Sequence, residues 1–315
     1  LAVADGPSER RCGHATHTGV ESMERMTASH SGRVPDYVAI GHMTIDRTPS
    51  GDMLGGSVLY AALTAARYGL RAAILTRANL AALDGQQRRQ LDEIAAEVEI
   101  VTQASNGITT FTNTEVAGRR SQQIHDWGGE IDLTGLPPLW RSAGAIHLAP
   151  VAQEIEPRQV SRLSPRLLGC TPQGWMRRWD EERLGKVRAV PLRLPADLIS
   201  RIDALVVSAE EYTHSRDIVV QVGERGLSAI TRGMQGASLI DRGREVDIPA
   251  YRIKVVDTTG AGDVFAAALF AARSERQSVS ASARYASAAA ALNVSGDGLS
   301  SVPRRAEVEA LIDRS

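Results

Sequence analysis

Cysteine, lysine and aromatic residues are scarce in this sequence of 315 residues. Its two cysteines, Cys12 and Cys170, fit neither a disulfide framework nor a zinc-binding spacing, so we expect a reducing, cytoplasmic environment. Lysine occurs only at Lys186 and Lys254, and arginine supplies the other positive charges. With 36 basic and 37 acidic residues, a formal net charge of −1 and 4% aromatic residues, the composition argues against a nucleic-acid-binding module.

Long apolar runs are also missing. No stretch approaches the roughly 20 apolar residues that a membrane-spanning helix needs, so no membrane association is predicted. Residues 1–34 are polar, rich in Ser, Thr and Gly, and do not read as a signal peptide, so we expect a flexible N-terminal extension. His14 and His17 lie three residues apart in it, but without Cys or acidic partners they do not predict a metal site.

From Tyr37 onward, apolar runs of strand length alternate with segments of helical period. Strands are predicted at "YVAIG" (37–41), "RAAIL" (71–75), "VEIV" (98–101), "AIHLAP" (145–150), "RLLGCTP" (166–172) and "ALVVSAEE" (204–211). Helices are predicted within 55–69, 86–96, 278–296 and 305–314. This alternation predicts an α/β fold, a doubly wound and mostly parallel sheet flanked by helices, which binds ligands at the carboxyl ends of its strands.

Two other segments have strand character but a different arrangement. Residues 107–127 are rich in Thr, have Gly-Arg-Arg at their centre and show no helical period, which predicts a β-hairpin. This hairpin is either an edge of the main sheet or a lid over a pocket, and the sequence leaves both open. Residues 227–248 predict antiparallel strands joined by glycine turns.

The stretch "VVDTTGAGDVFAAALFAAR" at 255–273 predicts a strand end, a tight turn and a buried helix. Gly260, Ala261 and Gly262 bring backbone amides to the first helical turn, where they can hold a phosphate or a developing oxyanion. A carboxylate beside such a site, here Asp263, can accept the proton of an attacking hydroxyl during phosphoryl transfer. The alternative is that Asp263 only caps the helix and the glycines only permit close packing. Other phosphate-binding and nucleophile motifs do not fit.

"DTTGAGDVF" at 257–265 resembles the C-terminal signature of the ribokinase/PfkB family of carbohydrate kinases, and Gly55-Gly56 resembles its N-terminal glycine pair. The resemblance extends from about Tyr37 to Arg314. It implies a ribokinase-like kinase domain over 35–315, with a small β lid formed by about 44–54 and 106–128. It also implies transfer of the γ-phosphoryl group of ATP, with Mg²⁺ and in many relatives K⁺, to a hydroxyl of a small polyol.

The resemblance also implies residue roles. Asp263 would be the general base, and the amides of Gly260, Ala261, Gly262 and Asp263 the anion hole. Asp46 would bind acceptor hydroxyls together with Gly55, Gly56 and Tyr60. The alternative is that Asp46 is only a turn residue. Nucleotide contacts would come from Ser208, Thr231, Gly233 and Gly236. Ser287 would add another contact, unless it only packs helices. Glu211 would hold magnesium-bound water, and oxygens around Asp257, Thr259, Val294 and Gly298 would hold a monovalent cation.

Two positions depart from the family pattern. The usual Asn-x-x-Glu reads Ser208-Ala209-Glu210-Glu211, which keeps the acid but replaces the amide that lies near the magnesium and phosphates. Ribokinase-like proteins carry Asn where this chain has Tyr60, so the resemblance does not extend to a ribose site built on that amide.

The segment "TPQGWMRRWD" at 171–180 follows a strand end on the substrate side and is similar to the corresponding stretch of plant myo-inositol kinases. Gln173 can exchange hydrogen bonds with a polyol, while Trp175 and Trp179 are expected to anchor the core. We therefore expect a sugar or cyclitol as acceptor. The alternatives are a nucleoside kinase of the same family and a catalytically silent sugar- or nucleotide-binding protein. By resemblance, the lid also predicts a homodimer.

Overall fold

In a computed structural model of the protein, the residues described are 23–26, 33–49, 51–116, 119–180 and 182–314. Their strands, in chain order, are β1 (Met23–Met26), β2 (Tyr37–Ile40), β3 (Thr44–Thr48), β4 (Gly51–Gly55), β5 (Ala72–Ala78), β6 (Val98–Ala104), β7 (Thr110–Val116), β8 (Arg119–Asp126), β9 (Ala145–Leu148), β10 (Leu167–Cys170), β11 (Arg177–Arg178), β12 (Gly185–Lys186), β13 (Arg188–Ala189), β14 (Ala204–Ser208), β15 (Leu227–Thr231), β16 (Ala237–Asp241) and β17 (Arg244–Ile248). Their helices are α1 (Ser57–Tyr68), α2 (Gly85–Ala95), α3 (Ala196–Arg201), α4 (Ala209–Arg225), α5 (Ala261–Ser274), α6 (Val279–Asn293) and α7 (Arg305–Asp313).

The large sheet is doubly wound, as the sequence predicts. Its order is β1-β6-β5-β2-β9-β10-β14-β15-β16-β17, parallel from β6 to β15 and antiparallel at both edges. The chain winds outward from β2 to β6 and then in the other direction from β9 to β15, so the switch point lies between β2 and β9. Gly41 after β2 packs so closely on the Ala149 carbonyl after β9 that a side chain there would overlap it.

Each face of the large sheet has its own hydrophobic core. Tyr37 and Ala39 of β2 face the cluster that contains α1, α5 and α6, whereas Val38 and Ile40 face the cluster that contains α3 and α4. This division follows from the strand period of two. The buried faces of α1, α5 and α6 are rich in alanine, which lets the three helices lie close to one another and to the sheet.

A second, smaller sheet has the order β12-β8-β7-β3-β4. Within the segment predicted as a hairpin, β7 and β8 pair antiparallel as expected. They belong to this sheet, so the interpretation as an edge of the main sheet is wrong. β3 and β4 come from the other segment predicted for the lid. The sequence did not predict β12, which pairs with β8 and ties residues 185–186 to the small sheet.

One expectation about local structure was wrong. Val255 and Val256 are not the end of a strand; they lie in the irregular segment before α5, and Val256 is 60% exposed. Within the expected N-terminal extension, Met23–Met26 pairs antiparallel with β6, since this edge strand offers free backbone groups. Cys12, His14 and His17 lie outside the described residues. None of the helices described is both long and apolar enough to span a bilayer.

Candidate active site

The turn before α5 has the backbone geometry of an anion site. Gly260 caps α5 in the left-handed region at φ +75°, and no side chain caps the first turn. The Ala261 amide donates to the Thr258 carbonyl over 3.3 Å, whereas a methyl group built on Gly262 would meet nothing within 4 Å. Space is therefore open beside the helix end where partial positive charge concentrates. Asp263 lies in this first turn but is not the capping residue.

Tyr60 joins the first turns of α1 to this site. Its ring fills the space that a side chain on Gly260 would need, so only glycine fits there. Burial raises the pKa of the Tyr60 phenol well above its usual value, and the negative charges of four carboxylates raise it further, those of Asp263, Asp257, Asp46 and Asp297. The phenol therefore stays protonated, and carboxylates from α5, from the loops beside it and from the small sheet all act on one ring.

Asp46 and the glycine pair form a second part of the site. A side chain on Gly55 would lie 2.7 Å from a carboxylate oxygen of Asp46, and Gly56 has φ +103° with the His42 carbonyl 2.6 Å from the position of a Cβ. The Asp46 carboxylate also accepts a hydrogen bond from Asn113 Nδ2 of β7 at 3.2 Å. The glycines thus give Asp46 room at the base of the small sheet, next to the first residue of α1.

The segment predicted to follow the nucleotide forms a tight turn at the carboxyl end of β15. Thr231 ends β15, and Gly233 (φ +55°) and Gly236 (φ +87°) turn the chain into β16. A side chain on Gly236 would overlap the Ile248 carbonyl, whereas one on Gly233 would meet nothing within 4 Å. The turn therefore requires glycine at position 236 and leaves open space beside position 233.

Ser208 and Glu211 contact each other at the start of α4. Ser208 Oγ accepts from the Glu211 amide at 3.1 Å, and a Glu211 carboxylate oxygen accepts from the Ser208 amide at 2.8 Å, which is a capping box. The serine that replaces the family's asparagine thus has a structural role. Ser287 is buried on α6 and donates to the carbonyl of Pro249, which follows β17, at 3.0 Å.

The four residues predicted to surround a monovalent cation are close together. The Asp257 amide donates to the Val294 carbonyl at 3.3 Å, and the Asp257 carboxylate accepts from the amides of Thr259 and Gly298. Burial alone would raise the pKa of Asp257, but hydrogen bonds from the Thr259 hydroxyl and from the amides of Thr259 and Gly298 outweigh it and lower that pKa. The Thr259 carbonyl accepts from Asn293 Nδ2 at 3.0 Å. Among the described residues, no three His, Cys, Asp or Glu side chains gather as a metal site.

Gln173 lies in a short 3-10 helix after β10. Its Nε2 donates to Ser57 Oγ of α1 at 2.9 Å, and its Oε1 accepts from the Arg177 guanidinium at 2.5 Å. Trp175 and Trp179 are buried, and Trp175 Nε1 donates to a main-chain carbonyl, so both are core anchors as expected. The carbonyl oxygen and one N–H of the Gln173 amide therefore bond to protein groups. The second N–H of the amide is not used in the bond to Ser57.

Sequence reasoning missed a buried carboxylate beside the switch point. Glu154 is fully buried and accepts hydrogen bonds from the amides of His42 at 2.9 Å and Ala152 at 2.6 Å, and also from the amide of Val151. It fastens the loop after β9 to the chain that enters the small sheet. A single acid in an irregular loop has no spacing that would distinguish it from a solvated one.

Parts of the chain are similar in sequence to known kinases. Residues 201–305 match the family model of pfkB family carbohydrate kinases. The chain is 43% identical to ribokinase of Bacillus subtilis over 84 residues, 26% of this chain and 29% of that protein. It is 28% identical to fructokinase-1 of Zea mays over 145 residues, 44% and 42% of the two chains. The chain thus matches less than half the length of these curated relatives.

Solved structures match over most of the chain. A pyrophosphate-dependent kinase of the ribokinase family, complexed with a pyrophosphate analog and myo-inositol, has a TM-score of 0.70 at 16% identity and covers 87% of this chain and 99% of its own. This protein has the ribokinase fold, and its residues 201–305 match the pfkB family model. Arabidopsis thaliana ribokinase, complexed with ribose and ATP, has a TM-score of 0.67 at 20% identity and covers 90% and 100%. The family resemblance carried by "DTTGAGDVF" is confirmed, and at these identities the structural likeness shows the fold alone.

Proposed function

We propose that this ribokinase-fold protein is a kinase that transfers the γ-phosphoryl group of ATP to a hydroxyl of a small polyol. One observation carries the proposal: an open helix N-terminus with Asp263 in its first turn, joined through Tyr60 to the start of α1. A base and an anion site side by side are what transfer to an alcohol needs. The PfkB region and the sugar kinases among the relatives support the same reaction class.

In this mechanism Asp263 accepts the proton of the acceptor hydroxyl. The hydroxyl oxygen bonds to the γ-phosphorus while the bond to the leaving ADP breaks, and the proton stays on the Asp263 carboxyl group. The amides of Gly262 and Asp263 stabilise the charge on the transferred group, with Gly260 and Ala261 shaping the turn. Mg²⁺, when bound, neutralises phosphate charge. One Glu211 carboxylate oxygen accepts a hydrogen bond in the capping box, and the other would hold a water bound to Mg²⁺.

Donor binding would involve the carboxyl ends of β14 and β15. The open space beside Gly233 and the required glycine at position 236 fit a phosphate chain, with Thr231 and Ser208 at the two strand ends and Ser287 toward the base. The loop held by Asp257, Thr259, Val294 and Gly298 would bind K⁺ through its oxygens. The Thr259 carbonyl accepts one hydrogen bond and keeps a lone pair for a cation, whereas the Val294 carbonyl accepts two and would have to release one.

The acceptor would lie between Asp46, Gln173 and Asp263. Carboxylates accept hydrogen bonds from hydroxyls, and the remaining N–H of Gln173 donates one, so a polyhydroxylated ring matches the donors and acceptors. Tyr60 replaces the small amide of ribose-binding relatives with a buried ring, which favours a cyclitol or another sugar over ribose. A nucleoside is the second candidate acceptor, and dimerisation through the small sheet stays a prediction that light scattering tests.

The test is an ADP-release assay with MgATP across myo-inositol, D-ribose, D-fructose and adenosine, with and without K⁺. We expect turnover that depends on one polyol. If no acceptor is turned over although calorimetry shows ATP binding, the kinase proposal is contradicted in favour of a silent binding protein. Turnover with adenosine alone would contradict the polyol acceptor and keep the kinase.

A further inference from the structure

Residues 171–180 and 182–190, here called the crossing segment, connect the carboxyl end of β10 to the small sheet, where β12 pairs with β8. We propose that Arg177 in this segment is a positioning residue that couples the small sheet to acceptor recognition. This inference rests on the proposed kinase function, because it assigns the residue that fixes the relative position of Gln173 and Asp46. The family resemblance does not assign Arg177 a role.

The Arg177 guanidinium contacts three separate parts of the chain. Its Nη1 donates to the Val151 carbonyl at 2.8 Å, and its Nη2 donates to Gln173 Oε1 at 2.5 Å. The guanidinium carbon lies 5.4 Å from the centre of the Phe111 ring, within the range of a cation–π contact. A planar group with several donors and a stacking face can hold all three partners at once, which a lysine cannot.

The bond from Arg177 fixes the direction of the Gln173 amide. A guanidinium only donates hydrogen bonds, so the atom of Gln173 that faces it is the carbonyl oxygen. The amide nitrogen therefore faces Ser57 Oγ, 2.9 Å away, at the first residue of α1. If Arg177 is removed, the amide can rotate, and the N–H that we assign to the acceptor loses its orientation.

The stacking partner connects Arg177 to the opposite side of the acceptor site. Phe111 of β7 is the register partner of Asp46 in β3. The ring under the guanidinium and the carboxylate that we assign to acceptor hydroxyls are therefore neighbours in the small sheet. Any shift of that sheet moves Asp46 and Phe111 together, and Arg177 transmits the shift to Gln173.

The surroundings of Arg177 hold the junction in place. Phe111, Ile124, Val151, Ala152 and Trp179 form a separate apolar cluster between the small sheet and the loop after β9. A side chain on Gly174 would lie 2.5 Å from the main chain of Pro150, so the crossing segment packs directly on that loop. Gln153 adds bonds from its Nε2 to the carbonyls of Gly174 and Arg177.

The test compares Arg177→Met with Arg178→Met. Methionine keeps an apolar stem on Phe111 but removes every guanidinium bond. Arg178 is the exposed neighbour, and its Nη1 donates to the Arg177 main-chain carbonyl at 3.1 Å. In Arg177→Met we expect the KM for the polyol to rise at least tenfold, with the KM for ATP within twofold of the wild type. Arg178→Met should match the wild type in both constants. Unchanged polyol KM, or an equal rise in both constants, would overturn the proposal.

Hydrogen exchange on the ligand-free protein measures the coupling without relying on turnover. We expect faster exchange in residues 110–116 and 173–178 of Arg177→Met and unchanged exchange in α5. Phe111→Leu, which keeps an apolar filler but removes the aromatic face, should reproduce this pattern more weakly if the arginine variant does not fold. Exchange identical to that of Arg178→Met would overturn the coupling. Missing turnover in the wild type would contradict the proposed function alone.

Discussion

The turn before α5 and the crossing segment both border the candidate acceptor site, but they are built from different parts. The turn depends on backbone: a left-handed glycine, an open first turn and a ring packed on the Gly260 Cα. The crossing segment depends on side chains. Arg177 and Gln173 bond to each other, and they also bond to Val151 and Ser57, which are distant from them in sequence. A backbone site allows few residue types, whereas a side-chain network can be rebuilt around another acceptor. The first region is thus suited to shared chemistry and the second to specificity.

The largest effect is expected from Gly260→Ala. The new methyl group would overlap the Tyr60 ring at a φ of +75°, and the two costs together are about 2–4 kcal/mol of unfolding free energy. The α5 turn would also move, so we expect turnover to fall at least about 100-fold, as for loss of an oxyanion-hole donor. Chemical denaturation and ADP release measure the two effects.

Gly262→Ala is the matched control for that variant. Its methyl group enters open space in a helical turn, so stability should stay unchanged or rise by less than about 1 kcal/mol. Turnover should still fall, because the methyl group lies where we place the phosphate. Equal destabilisation by both substitutions would mean that Tyr60 does not constrain the turn.

His147 lies between the crossing segment and Phe270 in the second half of α5, and it makes stability depend on pH. It is buried, with Nε2 2.9 Å from Thr171 Oγ1 in the crossing segment and its ring 4.9 Å from that of Phe270 in α5. Burial lowers the pKa of His147 to about 3. The unfolded chain takes up this proton near pH 6.5 and the folded chain does not, so stability falls as pH drops below 6.5, by about 1.4 kcal/mol per pH unit.

Denaturant titrations between pH 7 and 4 measure this slope. Burial also lowers the pKa of His42, which adds a loss of the same sign. The contribution of His147 is therefore the difference between the pH slopes of unfolding free energy of the wild type and of His147→Gln. The slope of His147→Gln should be shallower by about 1.4 kcal/mol per pH unit, which corresponds to one proton. Parallel slopes for the two proteins would contradict a neutral, buried His147.

The smallest effects are expected at the start of α4. There Glu211 accepts a hydrogen bond from the Ser208 backbone amide and is also proposed to hold a magnesium-bound water. Ser208→Ala breaks the capping box and should cost about 1 kcal/mol. Glu211→Gln should leave stability unchanged, because glutamine also completes a capping box. It should nevertheless raise the Mg²⁺ concentration needed for half-maximal turnover. An unchanged Mg²⁺ requirement would leave Glu211 with the structural role alone.

The difference between a backbone-built turn and a side-chain network also explains how much of the structure the sequence could predict. The parallel strands, the hairpin at 107–127 and the start of α5 follow from period and glycine placement, which are local properties. Glu154 and Arg177 were missed because their roles depend on bonds to residues on other elements. Val255-Val256 was wrongly predicted as a strand end, since β-branched residues favour strands but these two have no neighbouring strand to pair with.

The central claim is that Asp263 accepts the proton while the α5 turn holds the transferred group. The most direct measurement is ADP release by Asp263→Asn at saturating MgATP and acceptor, beside Glu210→Gln, which removes a first-turn acid from α4. We predict that Asp263→Asn lowers kcat about 10²–10⁴-fold with ATP affinity and folding unchanged, whereas Glu210→Gln matches the wild type. A kcat for Asp263→Asn within a few fold of the wild type would contradict the account.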